Sequence, residues 1–218
     1  MTRLITDDIS DIAANLQNYD RELVARTGYS LSGIACCAAE IEEKQIKNLL
    51  PSTRVGIIPV SSGEGIIRGF GEAVLSIILH LGADAFITQL TDVAGIAESF
   101  EKKADVVMLA DDEHFVALHM RSRSIADNAV CTGNAFATGL SLMAGSLEEQ
   151  EVLIIGCGPV GRSAALKLIR MGSRVSVYDV QVESLIQSVK MIGQNTDSKI
   201  QIVKTLESAL QRHRFIID

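Results

Sequence analysis

The chain has no run of basic residues, no apolar stretch long enough to cross a bilayer and no cysteine pattern that marks a zinc site or a disulfide framework. Each absence removes a class. Twenty Lys and Arg against 27 Asp and Glu leave a net charge of −7, which gives no footprint for nucleic acid. The most apolar segment, Ala73 to Leu81, is too short to span a membrane and contains His80. Cys36, Cys37, Cys131 and Cys157 read as free thiols of a cytoplasmic protein. Met1 is followed by a polar, acidic stretch, so no secretory signal is expected. No internal repeat or low-complexity tract is evident. Asp111-Asp112-Glu113 is an acidic run without spaced partner ligands, so no metal is expected there. No Ser-His-Asp or Cys-His constellation can be assigned.

Hydrophobic residues make up 47% and charged residues 22%, which suits a globular chain with a real core. Its most informative stretch is Gly156-Cys157-Gly158-Pro159-Val160-Gly161. Before it runs the apolar strand pattern Val152-Leu153-Ile154-Ile155. After it Ala164, Ala165, Leu168 and Ile169 fall at helical spacing, and Arg174 to Tyr178 reads as a second strand ending at Asp179. Strand, glycine turn, helix, strand and acid together form a dinucleotide-binding unit. Gly156 permits the tight turn, Gly158 lets a pyrophosphate approach the backbone, and Gly161 lets helix and strand pack closely. Pro159 suits the first helical turn but lacks an N–H, so Val160 is the better donor to phosphate. Asp179 would accept from a ribose 2′-hydroxyl and repel a 2′-phosphate. No Arg follows it, and the expected cofactor is NAD rather than NADP.

The N-terminal half alternates. Thr6 can cap a helix carrying Ile9, Ile12, Leu16 and Leu23 on one stripe. Strands are expected at Val55 to Ile58, Ala85 to Thr88, Val106 to Leu109 and Phe115 to Met120. Helices are expected at about Ile66 to Leu81, Val93 to Lys102 and Asn128 to Met143. The fold class is α/β: a Rossmann-type doubly wound parallel sheet preceded by a smaller N-terminal α/β domain. The domains are read as 1–146 and 147–218. The second holds a further helix at Val182 to Ile192, a strand at Ile200 to Val203, a short helix at Leu206 to Leu210 and a strand at Phe215 to Asp218. A doubly wound domain ordinarily continues beyond that point, so the expectation is that these residues belong to a longer protein.

Three polar clusters follow the N-terminal strands: Ser61-Ser62-Gly63-Glu64-Gly65, Thr91-Asp92 and Asp111-Asp112-Glu113. Ligands of open parallel sheets bind beyond the C-terminal strand ends, so the three should converge on one rim. That rim, rich in carboxylates and hydroxyls, suits a substrate with ammonium groups. His114 stands beside it as a candidate base. His80 and His119 have no evident carboxylate partner in sequence and read as structural.

The chain resembles the pyrrolysine synthase family in Thr6-Asp7-Asp8, Gly33-Ile34-Ala35-Cys36, Thr91-Asp92-Val93-Ala94-Gly95-Ile96 and Ala110-Asp111-Asp112. Ile125-Ala126-Asp127-Asn128 and Val152 to Gly158 extend the likeness. The resemblance implies NAD-dependent oxidation of the terminal amine of lysine-Nε-3-methylornithine. The resulting imine is hydrolysed to an aldehyde, which closes the pyrroline ring. It also implies a substrate cleft between the two domains and a mobile N-terminal lid helix. By that likeness Leu4 is an apolar lid contact, and Ser61, Asp92 and Asp111 are polar substrate contacts. No catalytic residue is assigned. A two-domain dehydrogenase of shikimate or methylene-tetrahydrofolate type is the runner-up. Such enzymes commonly use a cleft lysine, and none lies in the three strand-end loops. A non-catalytic NAD(H)-sensing module is the third reading. The expected partner is a small amino-acid substrate, with no nucleic acid and no membrane. Sequence does not set the oligomeric state, and a homodimer is carried as the working expectation.

Overall fold

A computed structural model of the chain describes residues 9, 11–193 and 200–218. Contacts group Met1–Ala25 and Tyr29–Asn128 into one unit, and Arg26–Gly28 and Ala129–Asp218 into the other. Leu4, the Thr6 cap, Asp7 and Asp8 lie outside the described residues.

The first unit opens with helices α1 (Ile12–Thr27), α2 (Leu31–Ala39) and α3 (Glu43–Leu49) and a short 3-10 turn at Leu50–Ser52. Strand β1 (Arg54–Ile58) leads through a long loop to α4 (Phe70–His80) and β2 (Asp84–Ile87). Next come α5 (Asp92–Glu101), β3 (Val106–Ala110), β4 (Phe115–His119) and β5 (Ser124–Asp127). The sheet order is β2-β1-β3-β4-β5. The first three strands are parallel, and β4 and β5 add as antiparallel neighbours. The chain leaves β1 for β2 on one side and later returns to β3 on the other. The C-terminal ends of β1 and β3 therefore frame a topological switch point, the place where open α/β sheets bind ligands.

The second unit begins with α6 (Asn128–Ala144), followed by β6 (Glu151–Ile155), α7 (Pro159–Arg170), β7 (Arg174–Tyr178), α8 (Val182–Gly193), β8 (Gln201–Ile202), α9 (Leu206–Arg212) and β9 (Phe215–Ile217). Its four strands are all parallel, in the order β8-β7-β6-β9. Relabelled by appearance this is 3-2-1-4, the start of the doubly wound order. Val152, Leu153 and Ile154 on β6 are almost fully buried, as a strand covered on both faces requires. Ala164, Ala165 and Leu168 on α7 pack into the same core. Each large aliphatic side chain buried this way contributes about 1.5–3 kcal/mol.

The expected α/β architecture is the one found, with differences that have physical causes. The helix expected from Ile66 begins only at Phe70. Gly65 and Gly69 take φ of 85° and 86°, which no helix accommodates, so Ile66 and Ile67 belong to the loop. Helices α2 and α3 were not anticipated: α3 buries no residue and has no apolar stripe, and α2 is apolar on most sides. Strand β5 was read only as a chain reversal. The N-terminal unit is the larger one in this chain, not the smaller. The expected boundary at 146/147 contrasts with a contact division at Asn128/Ala129. Helix α6 belongs with the second unit because a Cβ on Gly133 would overlap the backbone of α7 at Val160 and Ala164. None of the described helices is long and apolar enough to cross a membrane.

Candidate functional site

The glycine turn has the shape its sequence demands. Gly156 has φ 87°, a conformation open to glycine at no steric cost. Its N–H donates to Tyr178 O at 2.9 Å and ties the turn to β7. A Cβ on Gly161 would overlap Gly156 O, so glycine is obligatory there for close helix–strand packing. Gly158 is different: its φ is −66° and a Cβ would meet nothing within 4 Å. Space stands open in front of that backbone. Pro159 occupies the first turn of α7, and no side chain caps the helix. The N–H groups of that turn, Val160 included, begin the helix with its positive dipole end.

Asp179 ends β7 and reaches back to the turn. Its Oδ2 accepts from Cys157 N–H at 2.7 Å and its Oδ1 from Gln181 N–H at 2.8 Å. Beneath the turn, the buried Ser188 hydroxyl donates to Cys157 O at 2.5 Å, and Arg162 Nη1 donates to Ser188 Oγ at 3.4 Å. Cys157 is itself buried. Burial first, and the Asp179 carboxylate second, push its thiol up to about 11, so it is an inert small residue rather than a redox centre. An open glycine face, an uncapped helix start and a carboxylate at the next strand end fit a dinucleotide.

In the first unit, the loops after β1, β2 and β3 are joined by carboxylates. Asp92 accepts from Ser61 N–H at 2.8 Å and from Ser61 Oγ at 2.6 Å. Asp112 Oδ2 accepts from Glu64 N–H at 2.8 Å, and a Cβ on Gly63, whose φ is 66°, would collide with that same oxygen. Asp111 Oδ1 accepts from His114 N–H at 2.7 Å and Glu113 N–H at 2.8 Å. The Ser61 hydroxyl, then its N–H, then the Thr91 hydroxyl hold Asp92 below the ordinary carboxylate range. The N–H groups of His114 and then Glu113 do the same for Asp111. Hydrogen bonds to the charged form favour it, so both groups present negative charge at neutral pH.

These loops frame a cavity of about 450 Å³ at the switch point. Its apolar wall includes Ile57, Ile66, Phe70 and Phe115, with the two rings edge-to-face at 5.3 Å between centroids. Asp111, Asp112, His114, Arg68, Glu72 and Thr91 supply its polar groups. Of the sequence candidates, Asp111 lines this cavity. Ser61 and Asp92 pair with each other and are not among its walls, and Leu4 lies outside the described residues. Arg68, Glu72 and Phe70 were missed because Ile66 to Leu81 was read as one helix. The two positive-φ glycines turn its first residues into cavity wall instead. His114 is exposed, with Nδ1 4.0 Å from Asp127 Oδ2. His80 has the carboxylate partner that sequence did not show: Nε2 lies 3.0 Å from Asp20 Oδ2, while Asp20 Oδ1 accepts from Leu31 N–H at 2.6 Å. His119 Nδ1 accepts from Ser122 N–H at 3.1 Å, a turn-closing role. Among the described residues no group of three His, Cys, Asp or Glu side chains is placed to hold a metal ion.

Residues 6–126 match the family described as pyrrolysine biosynthesis protein PylD, N-terminal domain. The chain belongs to the pyrrolysine synthase family. Residues 126–217 match the C-terminal domain of the alanine dehydrogenase/PNT family. Pyrrolysine synthase of Methanosarcina barkeri is 32% identical over 193 residues, which cover 88% of this chain and 70% of that protein. Among solved structures, quinate dehydrogenase from Corynebacterium glutamicum in complex with NAD aligns with a TM-score of 0.51 at 12% identity, over 75% of this chain and 69% of the other. A shikimate dehydrogenase in complex with NADP+ aligns with the same TM-score at 14% identity, over 75% and 65%. At such identities these two likenesses speak for the fold alone.

Proposed function

We propose that the chain is an NAD-dependent dehydrogenase that oxidises the terminal amine of lysine-Nε-3-methylornithine in pyrrolysine biosynthesis. Membership of the pyrrolysine synthase family carries the reading, and the glycine turn supports it independently. Gly156, Gly158, Val160 and Gly161 would hold the pyrophosphate, with Pro159 starting the helix, and Asp179 would receive the ribose hydroxyls. A bound nicotinamide supplies the hydride acceptor. Asp179 favours NAD, because a 2′-phosphate would face its charge. The setting we propose is the cytoplasm.

The residues around the strand ends bind and orient. Asp111, at the cavity, and Asp92, joined to Ser61, attract the substrate's ammonium groups, and the apolar wall takes its methylene chain. Leu4 is proposed as the apolar contact from the lid. The carbon that loses hydride bears the reacting amine, and that amine must be neutral so its lone pair can stabilise the developing iminium. Carboxylates held ionised by backbone donors suit anchoring rather than proton transfer. Water then attacks the iminium carbon and ammonia leaves, and the aldehyde condenses with the neighbouring amine.

Incubating the protein with NAD and lysine-Nε-3-methylornithine should form NADH. Mass spectrometry should find the cyclised product. Absence of NADH with this substrate, alongside measurable NAD binding, would leave the sensing-module reading in its place.

A further inference from the structure

Helix α5 has two unlike faces. Gly95 and Ser99 are buried, and a Cβ on Gly95 would press into Ile58 and Thr88. The opposite face is apolar and open. Val93 is 80% exposed, Phe100 71% and Ile96 39%, and Ala97 between them is exposed as well. Glu98 and Lys102, beside the stripe, are tied to each other at 2.6 Å. A helix facing water carries polar residues outward, and a contiguous apolar patch marks an interaction surface.

The spacing of this stripe says what covers it. Positions 93, 96, 97 and 100 read the same from either end of the helix. A two-fold axis between Ile96 and Ala97 therefore sets Val93 against the partner's Phe100 and Ile96 against the partner's Ala97. The surface continues this match beyond the helix. Phe100, Ala104 and Met120 line an open groove with Lys103 and Arg121 on its rim. Leu90, 52% exposed, lies as far before the axis in sequence as Lys103 lies after it. The same two-fold brings each Leu90 to the partner's groove and each Asp92 toward the partner's Lys103. Knob and hole sit at opposite ends of one patch, as a self-complementary two-fold interface requires.

We propose that two copies of this chain associate through α5, antiparallel helix against helix, with Leu90 of each copy seated in the groove of the other. A helix pair alone covers less than the roughly 800 Å² per partner of a standard interface. The two Leu90 contacts enlarge it, and the dimer should be concentration-dependent.

Sedimentation equilibrium of the chain, up to near-millimolar loading, should show the mass of two chains. Val93→Glu and Phe100→Glu should each return it to the mass of one. Both positions are exposed, and an unchanged far-UV circular dichroism spectrum checks the fold. Cross-linking tests the geometry separately, in chains with exposed Cys131 replaced by Ser. Val93→Cys chains mixed with Phe100→Cys chains should form disulfide-linked pairs, while neither variant should link to itself. A single-chain mass at every loading, a dimer untouched by either glutamate, or Val93→Cys chains linking to one another would overturn the proposal.

Discussion

Ser61 gives both its backbone N–H and its hydroxyl to Asp92, one to each carboxylate oxygen, at 2.8 and 2.6 Å. Asp92 reaches them from a φ of 55°, the left-handed region that Asp and Asn tolerate better than other side chains. Its N–H donates in turn to Pro59 O at 3.0 Å. The loops after β1 and β2 are thus locked as a pair. Asp92→Asn keeps the tolerated conformation but loses the charge and one acceptor. We expect its KM for the amine substrate to rise about tenfold with little change in kcat. Asp92→Ala should in addition lower the melting temperature, because alanine is strained at that φ. Steady-state kinetics and thermal melts separate the two effects.

The two glycines of the nucleotide turn should fail in opposite ways. Gly161→Ala forces a methyl into Gly156 O and should destabilise the protein by about 1–3 kcal/mol. Gly158→Ala meets open space at an ordinary φ, so the melting temperature should hold while NAD affinity falls at least tenfold. Melting curves and calorimetric titration of both variants test this. Equal NAD affinity in Gly158→Ala and the parent would mean the pyrophosphate lies elsewhere.

Asp179 should set the choice of cofactor. The parent is expected to bind NAD far more tightly than NADP in calorimetry. Asp179→Ser should narrow that ratio by about tenfold or more. Because Asp179 also holds the Cys157 N–H, the variant should weaken NAD binding somewhat too.

Cys157 should resist alkylation. With its thiol pushed up to about 11, the thiolate forms only in strongly alkaline solution. Iodoacetamide near neutral pH should label exposed Cys131 and leave Cys157 unmodified, as peptide mass spectrometry would show.

The rate should rise with pH across the neutral range in the parent and in Asp92→Asn and Asp111→Asn alike. The folded pKa values of both carboxylates are lowered, so they ionise below the ordinary carboxylate range. Their stabilising contribution is present above the unfolded value and is lost only as pH falls through the folded one. Neither group titrates near neutrality, and the slope there belongs to the reacting amine. An Asn variant with a flat profile and unchanged KM would make that carboxylate a general acid/base.

By itself, the sequence determined whatever depends on local pattern. Apolar β6, the glycine turn, the stripe of α7 and the terminal acid Asp179 lie within 29 consecutive residues, Glu151 to Asp179, and short-range backbone rules relate them. The convergence of three polar loops was legible too, because parallel strands place all their C-terminal ends on one rim. Tertiary structure alone decided what depends on distant partners. It showed that Asp92 and Asp112 bind the Ser61 to Gly65 loop rather than standing free, and that Asp20 meets His80 across 60 positions of sequence. It also moved Ile66 to Gly69 from helix to cavity wall. An apolar run there satisfies a helical period equally well, and only two glycines at positive φ, held by their surroundings, decide against the helix.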